Sequence, residues 1–360
     1  MVGIFDDMAI TKLTVEEFLS LAAHHPVIDV RSPGEFTHAH IPNAFSMPLF
    51  TDEERKVVGT AYKQESKQKA IKIGLKYFGT KMVKMVERTE EIIQSFAGNN
   101  RDLSSDKPIV LVHCWRGGMR SAGVAWMLDL YGFKVYTLIG GYKAYRNWVL
   151  QQFEMTYPIR ILGGNTGSGK TEVLQEMRKM GATVIDLEGI AHHKGSAFGS
   201  MGQLPQPSQE QFENILAAQL SQQSFTNNVL WLEDESQRIG DVNIPPAFFK
   251  QMRETKVYFL EIPFEERLAF ITIHYGKFEK EQLINAIVRI KKRLGGLETK
   301  TAVNALIEDD VKGCFDVLLK YYDRVYQKGL MKRDHIETMV EHVVCDTVDA
   351  NLNAQKLLRI

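Results

Sequence analysis

The stretch Gly164-Asn-Thr-Gly-Ser-Gly-Lys-Thr171 narrows what this chain can fold into more than any other. It matches the Walker A pattern, a glycine-rich loop closed by Lys and Thr, at every position. Glycines allow positive φ and let backbone N–H groups come close to phosphate oxygens. Apolar Ile159–Leu162 reads as the strand feeding the loop, and Thr171–Met180, stopped by Gly181, as the helix whose positive end faces an anion. The candidate phosphate-binding residues are therefore Gly164, Asn165, Thr166, Gly167, Ser168, Gly169, Lys170 and Thr171. Lys170 would neutralise a terminal phosphate, and the Thr171 hydroxyl would help hold Mg²⁺, a candidate ion here. The competing reading is a glycine-rich turn with an incidental lysine, and the flanking strand and helix argue against it.

A loop of this kind needs a parallel sheet, and the sequence after Pro158 alternates accordingly. Strands are expected at Thr183–Leu187, Val229–Leu232 and Val257–Ile262, and helices after Ser208, at Pro246–Glu254 and from Phe264. Residues 279–329 read as helical throughout, with a last strand at His342–Cys345 before a terminal helix. The strand Val229–Leu232 runs into Glu233-Asp-Glu235, where a carboxylate that holds Mg²⁺ belongs; Glu233 and Asp234 are the candidates, a solvated strand end the alternative. Arg238 and Arg267 are weaker candidates for phosphate contacts.

The same alternation precedes Met155–Pro158, the expected boundary between two domains, 1–152 and 153–360. Thr14 with Glu17 forms a capping box for a helix through Leu21. Strands follow at Val27–Val30, Ile109–Val112 and Lys134–Leu138, and helices at Ala122–Tyr131 and Gly141–Phe153. Between them, about 52–100 carries Ile71, Leu75, Phe78, Met82 and Met85 at helical spacing, a helical insert closed by polar Gly98–Lys107.

The second chemical signal is His113-Cys114-Trp-Arg-Gly-Gly-Met-Arg120-Ser121. An apolar strand delivers Cys114 to a glycine-containing loop that opens a helix, with Arg116 and Arg120 beside it. Backbone N–H groups, a helix N-terminus and guanidinium groups all stabilise a thiolate, so Cys114 is expected to titrate low and act as a nucleophile. The alternative is a buried structural cysteine, the reading given to Cys314 and Cys345. His113 is expected to point into the domain, since adjacent strand residues face opposite ways.

Lys+Arg and Asp+Glu both number 44, so no strong field announces a nucleic-acid partner. Three widely spaced cysteines form neither a disulfide framework nor a zinc pattern. The acidic N-terminus lacks the look of a signal peptide, and no segment reaches the ~18 apolar residues of a membrane span. The expected compartment is the cytoplasm.

Val27-Ile-Asp-Val-Arg-Ser-Pro-Gly-Glu-Phe36, His40-Ile-Pro-Asn-Ala44 and Cys114–Ser121 resemble the signature stretches of rhodanese-type sulfurtransferases. The resemblance places Asp29, Arg31, Glu35 and His40 near the site. Ordinary rhodaneses have four residues between Cys and the basic position, and here there are five, Trp115–Met119. The wider loop suits a tetrahedral anion. Certain cysteine phosphatases and arsenate reductases of this fold share that length, so such an enzyme, or a sulfurtransferase, fused to a nucleotide kinase is the competing class. A non-catalytic binding module would need no activated thiol.

Both loops in this order, over essentially the whole chain, resemble the bacterial tRNA 2-selenouridine synthases. The fold implied is α/β: an N-terminal rhodanese-like parallel-sheet domain, then a P-loop NTPase-like domain with a helical part at about 264–330. The activity implied is conversion of wobble 2-thiouridine in tRNA to 2-selenouridine through S-geranyl-2-thiouridine. The co-substrates implied are geranyl diphosphate and selenophosphate, with an enzyme that supplies selenophosphate as a candidate partner. Phe198, Phe248 and Phe249 are candidate walls for the geranyl chain. Lys291-Lys-Arg293, Lys332-Arg333 and Lys63, Lys67, Lys69, Lys72 and Lys76 are candidate RNA phosphate contacts, against the alternative of solvated helix faces.

Overall fold

The computed structural model describes residues 10–97, 107–222, 229–331, 333 and 336–360. Most of the polar stretch Gly98–Lys107, the N-terminal Met1–Asp7 and Lys332 lie outside the described residues. The chain divides into two compact units, Met1–Gln151 and Gln152–Ile360.

In the first unit the order is β1 (Thr11–Leu13), α1 (Val15–Ala22), β2 (Val27–Asp29), α2 (Pro33–His38), β3 (Phe45–Ser46), α3 (Asp52–Gln64), α4 (Lys67–Gly79), α5 (Met82–Ala97), β4 (Ile109–His113), α6 (Met119–Tyr131), β5 (Lys134–Leu138) and α7 (Gly141–Gln152). Thr14 and Thr51 start α1 and α3 with capping boxes, each hydroxyl accepting the N–H of a glutamate three residues on. The five strands form one parallel sheet in the order β1-β5-β4-β2-β3. Central β4 is apolar on both faces and buried from Val110 onward, as a strand covered by helices on both sides must be. The ends of β2 and β4 lie side by side, with Asp29 opposite His113, and this register brings the two sequence motifs together.

The second unit continues with β6 (Ile159–Gly164), α8 (Lys170–Lys179), β7 (Thr183–Val184), α9 (Leu187–Ala191), α10 (Gln209–Ser221), β8 (Leu230–Glu233), β9 (Arg238–Ile239), β10 (Val242–Asn243), α11 (Pro246–Arg253), β11 (Val257–Glu261), α12 (Phe264–Tyr275), α13 (Lys280–Leu294), α14 (Gly296–Ile307), α15 (Val311–Leu330), α16 (Ile336–Met339), β12 (Val340–Val344) and α17 (Ala350–Leu358). Its parallel sheet has the order β12-β11-β6-β8-β7; β9 and β10 form a separate small hairpin. Strand β6 is flanked by β11 and β8, so the glycine-rich loop leaves the sheet beside the acidic end of β8. The stretch expected to be helical over 279–329 is three helices. Gly295, at φ 108°, ends α13, and Asp309, at φ 64°, precedes α15, where Asp310 caps Gly313. The expected strand Thr183–Leu187 ends at Val184, because Asp186 caps α9 through Gly189 N–H.

Candidate functional site

Cys114 follows β4 directly, and its sulfur lies 3.2 Å from the Ser121 hydroxyl in the first turn of α6. The Ser121 hydroxyl is also 3.1 Å from the carbonyl of Gly118, so its one proton is shared between that carbonyl and the sulfur. The residue is only 3% exposed, and burial alone would raise the thiol. The Ser121 hydroxyl and N–H, the Arg120 guanidinium and the Arg116 N–H outweigh burial and hold it below its ordinary value. Cys114 thus belongs to the buried apolar core of its unit, with polar groups of its own loop and of α6 reaching its sulfur. Trp115, Arg116, Gly118 and Met119 of the same loop are exposed.

Two supports fix this loop. Glu35 accepts hydrogen bonds from Ser32 N–H at 3.1 Å and from Arg120 at 2.9 Å, and Arg55 pairs with it at 2.9 Å. It therefore ties the Arg120 guanidinium to α2. The second support was not foreseen: Gly140 and Gly141, at φ 71° and 60°, pass under the loop. A Cβ at Gly141 would run into the Cys114 carbonyl and the N–H groups of Gly117 and Arg116. The signal available in the sequence was a Gly-Gly pair straight after a buried strand.

Asp29 and Arg31 form a fully buried pair, Nε to Oδ1 at 3.0 Å and Nη2 to Oδ2 at 2.6 Å, and Arg31 also donates to the Ala39 carbonyl at 2.7 Å. Burial would raise the Asp29 carboxyl; His113 and Arg31 outweigh it. Burial also drives His113 towards the neutral form, so Arg31 is the partner that keeps Asp29 ionised. His113 is fully buried between Phe18 and Tyr142, as expected of a strand residue facing away from Cys114. His40 is stacked on Phe36 and hydrogen-bonded to its carbonyl at 2.9 Å, and its charge bears on His113.

In the second unit Gly164, Gly167 and Gly169 adopt φ 152°, 83° and 68°, values that favour glycine. Lys170 opens α8 and donates to the Gly164 carbonyl at 3.1 Å. Thr171 donates to Glu233 at 3.0 Å and stands 3.4 Å from Glu188. Glu188, Glu233 and Glu235 each bring a carboxylate oxygen within 4.8 Å of the others. Burial, with repulsion from the other two carboxylates, pushes Glu188 up to about 11 and, with repulsion from Glu233, Glu235 up to about 8. Burial also raises Glu233. Burial would lower Lys170, but these three acids outweigh it and raise its ammonium.

Several expectations need correction here. Asp234 faces away from the cluster: it accepts from Tyr326 at 2.8 Å and pairs with Arg333. Strand residues alternate, so Glu233 and Glu235 share the loop side and Asp234 the other. Arg267 is buried, bonded to the Thr166 carbonyl at 3.0 Å and paired with Asp323 at 2.8 Å, so it buttresses the loop from behind. Exposed Arg238 bonds Gly240 and Asp241 in its own hairpin. Arg333 is buried on Asp234 and so is not an RNA contact. Lys291, Lys292 and Arg293 are exposed in the last turn of α13, and Lys63, Lys67, Lys69, Lys72 and Lys76 on α3 and α4. Phe248 is packed against Phe153 and Tyr157, and Phe249 is half-buried on the same helix. Phe198 does line a cavity, of about 30 Å³, with Thr166 of the loop, Ile271, Tyr275 and Phe315.

A cysteine at the end of the central strand of one parallel sheet and a Walker-type glycine loop on a second define a two-domain α/β protein of the rhodanese and P-loop classes. The family models agree: residues 14–147 match the rhodanese-like domain, and 157–348 match the tRNA 2-selenouridine synthase AAA domain. The chain belongs to the tRNA 2-selenouridine synthase family. It is 36% identical over 346 residues to the tRNA 2-selenouridine synthase of Shewanella piezotolerans, covering 87% of this chain and 91% of that one. Those of a Sulfurovum species and Serratia proteamaculans are each 35% identical, over 82% and 86% of this chain and 83% and 87% of their own.

Proposed function

We propose that the protein carries out two successive transfers on a 2-thiouridine at the wobble position of tRNA. In the first, the uridine sulfur attacks C1 of geranyl diphosphate; an S–C bond forms, the C–O bond breaks, pyrophosphate leaves and the uridine N3 proton passes to solvent. Loop Gly164–Thr171 receives the diphosphate, and Lys170 neutralises the charge that develops on the leaving group. Oxygen donors suit Mg²⁺: Thr171, Glu188, Glu233 and Glu235 would hold it, and there it would supply further positive charge to the diphosphate. The apolar cavity behind Thr166 suits the hydrocarbon tail. A whole geranyl chain needs more room than about 30 Å³, so its entry requires the lining side chains to give way.

In the second transfer the Cys114 thiolate attacks the phosphorus of selenophosphate. An S–P bond forms, the P–Se bond breaks, and hydrogen selenide ion leaves with the electron pair. That ion adds to C2 of the S-geranyl pyrimidine, its proton passes to N3, and geranylthiolate departs to be protonated by solvent. Water then hydrolyses the S–P bond, releasing phosphate and restoring Cys114. The observation that supports this reading is the Cys114 thiol held below its ordinary value by the Ser121 hydroxyl and N–H, the Arg120 guanidinium and the Arg116 N–H, at the start of a loop with five residues before Arg120. These substrates imply a cytoplasmic reaction served by a selenophosphate-producing enzyme. Among the described residues, no helix is long and apolar enough to cross a membrane.

Nucleoside analysis of tRNA from cells with and without the protein tests the reading. 2-Selenouridine should depend on the protein, and S-geranyl-2-thiouridine should accumulate when selenophosphate is withheld; tRNA unchanged by loss of the protein refutes it. The five-residue loop also favours a second reading, a phosphatase, which rapid turnover of an aryl phosphate would support.

A further inference from the structure

Trp115, the residue after Cys114, leaves 36% of its surface in solvent. An exposed tryptophan is not unusual by itself; what distinguishes this one is how firmly it is held. Its carbonyl accepts the Lys143 N–H at 3.0 Å, and the neighbouring Cys114 carbonyl accepts the Tyr142 N–H at 2.8 Å. Its ring lies 5.7 Å from that of Tyr142, which is fully buried. The Tyr142 ring is covered in turn by the Arg31 guanidinium at 3.7 Å, and Arg31 is locked by Asp29. A chain of contacts therefore runs from a buried ion pair, through the Tyr142 ring, to a solvent-facing indole tilted against it at 39° and next in sequence to Cys114. Arg116 and Met119, the latter 56% exposed, flank it on the same loop.

We propose that Trp115 is the platform on which an unpaired pyrimidine of the RNA substrate stacks next to Cys114. The inference rests on the function proposed above, and it names the residue that presents the base. Aromatic rings hold unstacked bases through their faces, a contact that tolerates any base and needs a ring fixed in advance. Arg116 supplies a cation for the adjoining phosphate. The buried Asp29–Arg31 pair then acts as a positioning device, since it sets the tilt of Tyr142 and so of Trp115.

The test is the affinity of the full chain for an RNA stem-loop carrying 2-thiouridine in its loop, read beside the alkylation rate of Cys114. Trp115→Ala should weaken binding about tenfold or more. Trp115→Phe should restore most of it, and Trp126→Ala, on the exposed face of α6, should leave it unchanged. Cys114 alkylation should match the wild type in every variant. Wild-type binding with undiminished Trp115→Ala binding overturns the platform and leaves the proposed function standing. Weakened binding with altered alkylation that Phe does not rescue also overturns it, by showing a loop-folding role. No RNA binding by the wild type would fell the functional reading itself, and the platform with it.

Discussion

The Lys170 ammonium stands 3.4 Å from a Glu233 carboxylate oxygen while it donates to the carbonyl of its own loop at Gly164. The lysine is thus turned towards the acidic cluster at the base of the loop. Binding a diphosphate means exchanging these partners for phosphate oxygens. Lys170→Ala removes one charge-assisted contact of about 1.5–3 kcal/mol, so pyrophosphate affinity should fall about tenfold or more. Calorimetry gives the answer, and an unchanged dissociation constant would remove the loop from the diphosphate site.

Glu188 approaches the same cluster from α9, with Thr171 3.4 Å away. Three acids around one lysine, two of them buried and Glu235 half-buried, repel one another unless a cation or protons intervene. Glu188→Gln should therefore leave the ligand-free protein at least as stable as wild type and reduce the rise in melting temperature produced by Mg²⁺. A Mg²⁺ response equal to that of wild type would show that Glu188 is no part of the cation's surroundings.

Contact with the Ser121 hydroxyl is the largest of the causes that hold the Cys114 thiol below its ordinary value. Donors stabilise the charged form, so their removal raises the pKa and leaves less thiolate at neutral pH. The alkylation rate of Cys114 should rise with a midpoint below 9.0 in the wild type. In Ser121→Ala the midpoint should move up by about one unit, the worth of a charged hydrogen bond. Burial pushes Cys314 up to about 12, so it should not compete at neutral pH. A midpoint unmoved by the substitution would assign the activation elsewhere.

Arg31→Ala leaves the buried Asp29 carboxylate without its main partner, at a cost of about 3–5 kcal/mol. The urea midpoint should drop accordingly. Because the Asp29 pKa is lowered on folding, the pair's stabilisation is present above the unfolded value of 3.8 and is lost as pH falls through the folded value. The variant's deficit should therefore shrink in acid. A deficit that stays constant, or grows, as pH falls would contradict this assignment.

Both loops were legible because each is contiguous: Cys114 to Ser121 and Gly164 to Thr171 carry their own geometry in their glycines and flanking elements. The strand alternation that follows from them was legible for the same reason. What escaped was whatever only the sheet order brings together. Glu188 lies 45 residues from Glu233 and joins it through the neighbouring positions of β7 and β8. Asp234 looked equal to Glu233 until strand alternation turned it towards Tyr326, whose hydroxyl also accepts the Gly164 N–H at 3.3 Å. Gly141 and Tyr142 belong to the cysteine site because β5 lies beside β4. Periodicity merged α13, α14 and α15 into one helical stretch, since the breaks at Gly295 and Asp309 are single residues with positive φ.

The role proposed for Cys114 is in the selenium step and not the prenyl step. Reconstitution with 2-thiouridine tRNA, geranyl diphosphate and selenophosphate, followed by nucleoside mass analysis, separates the two. Cys114→Ala should yield S-geranyl-2-thiouridine at the wild-type rate and no 2-selenouridine. Selenouridine formed by that variant would contradict the account.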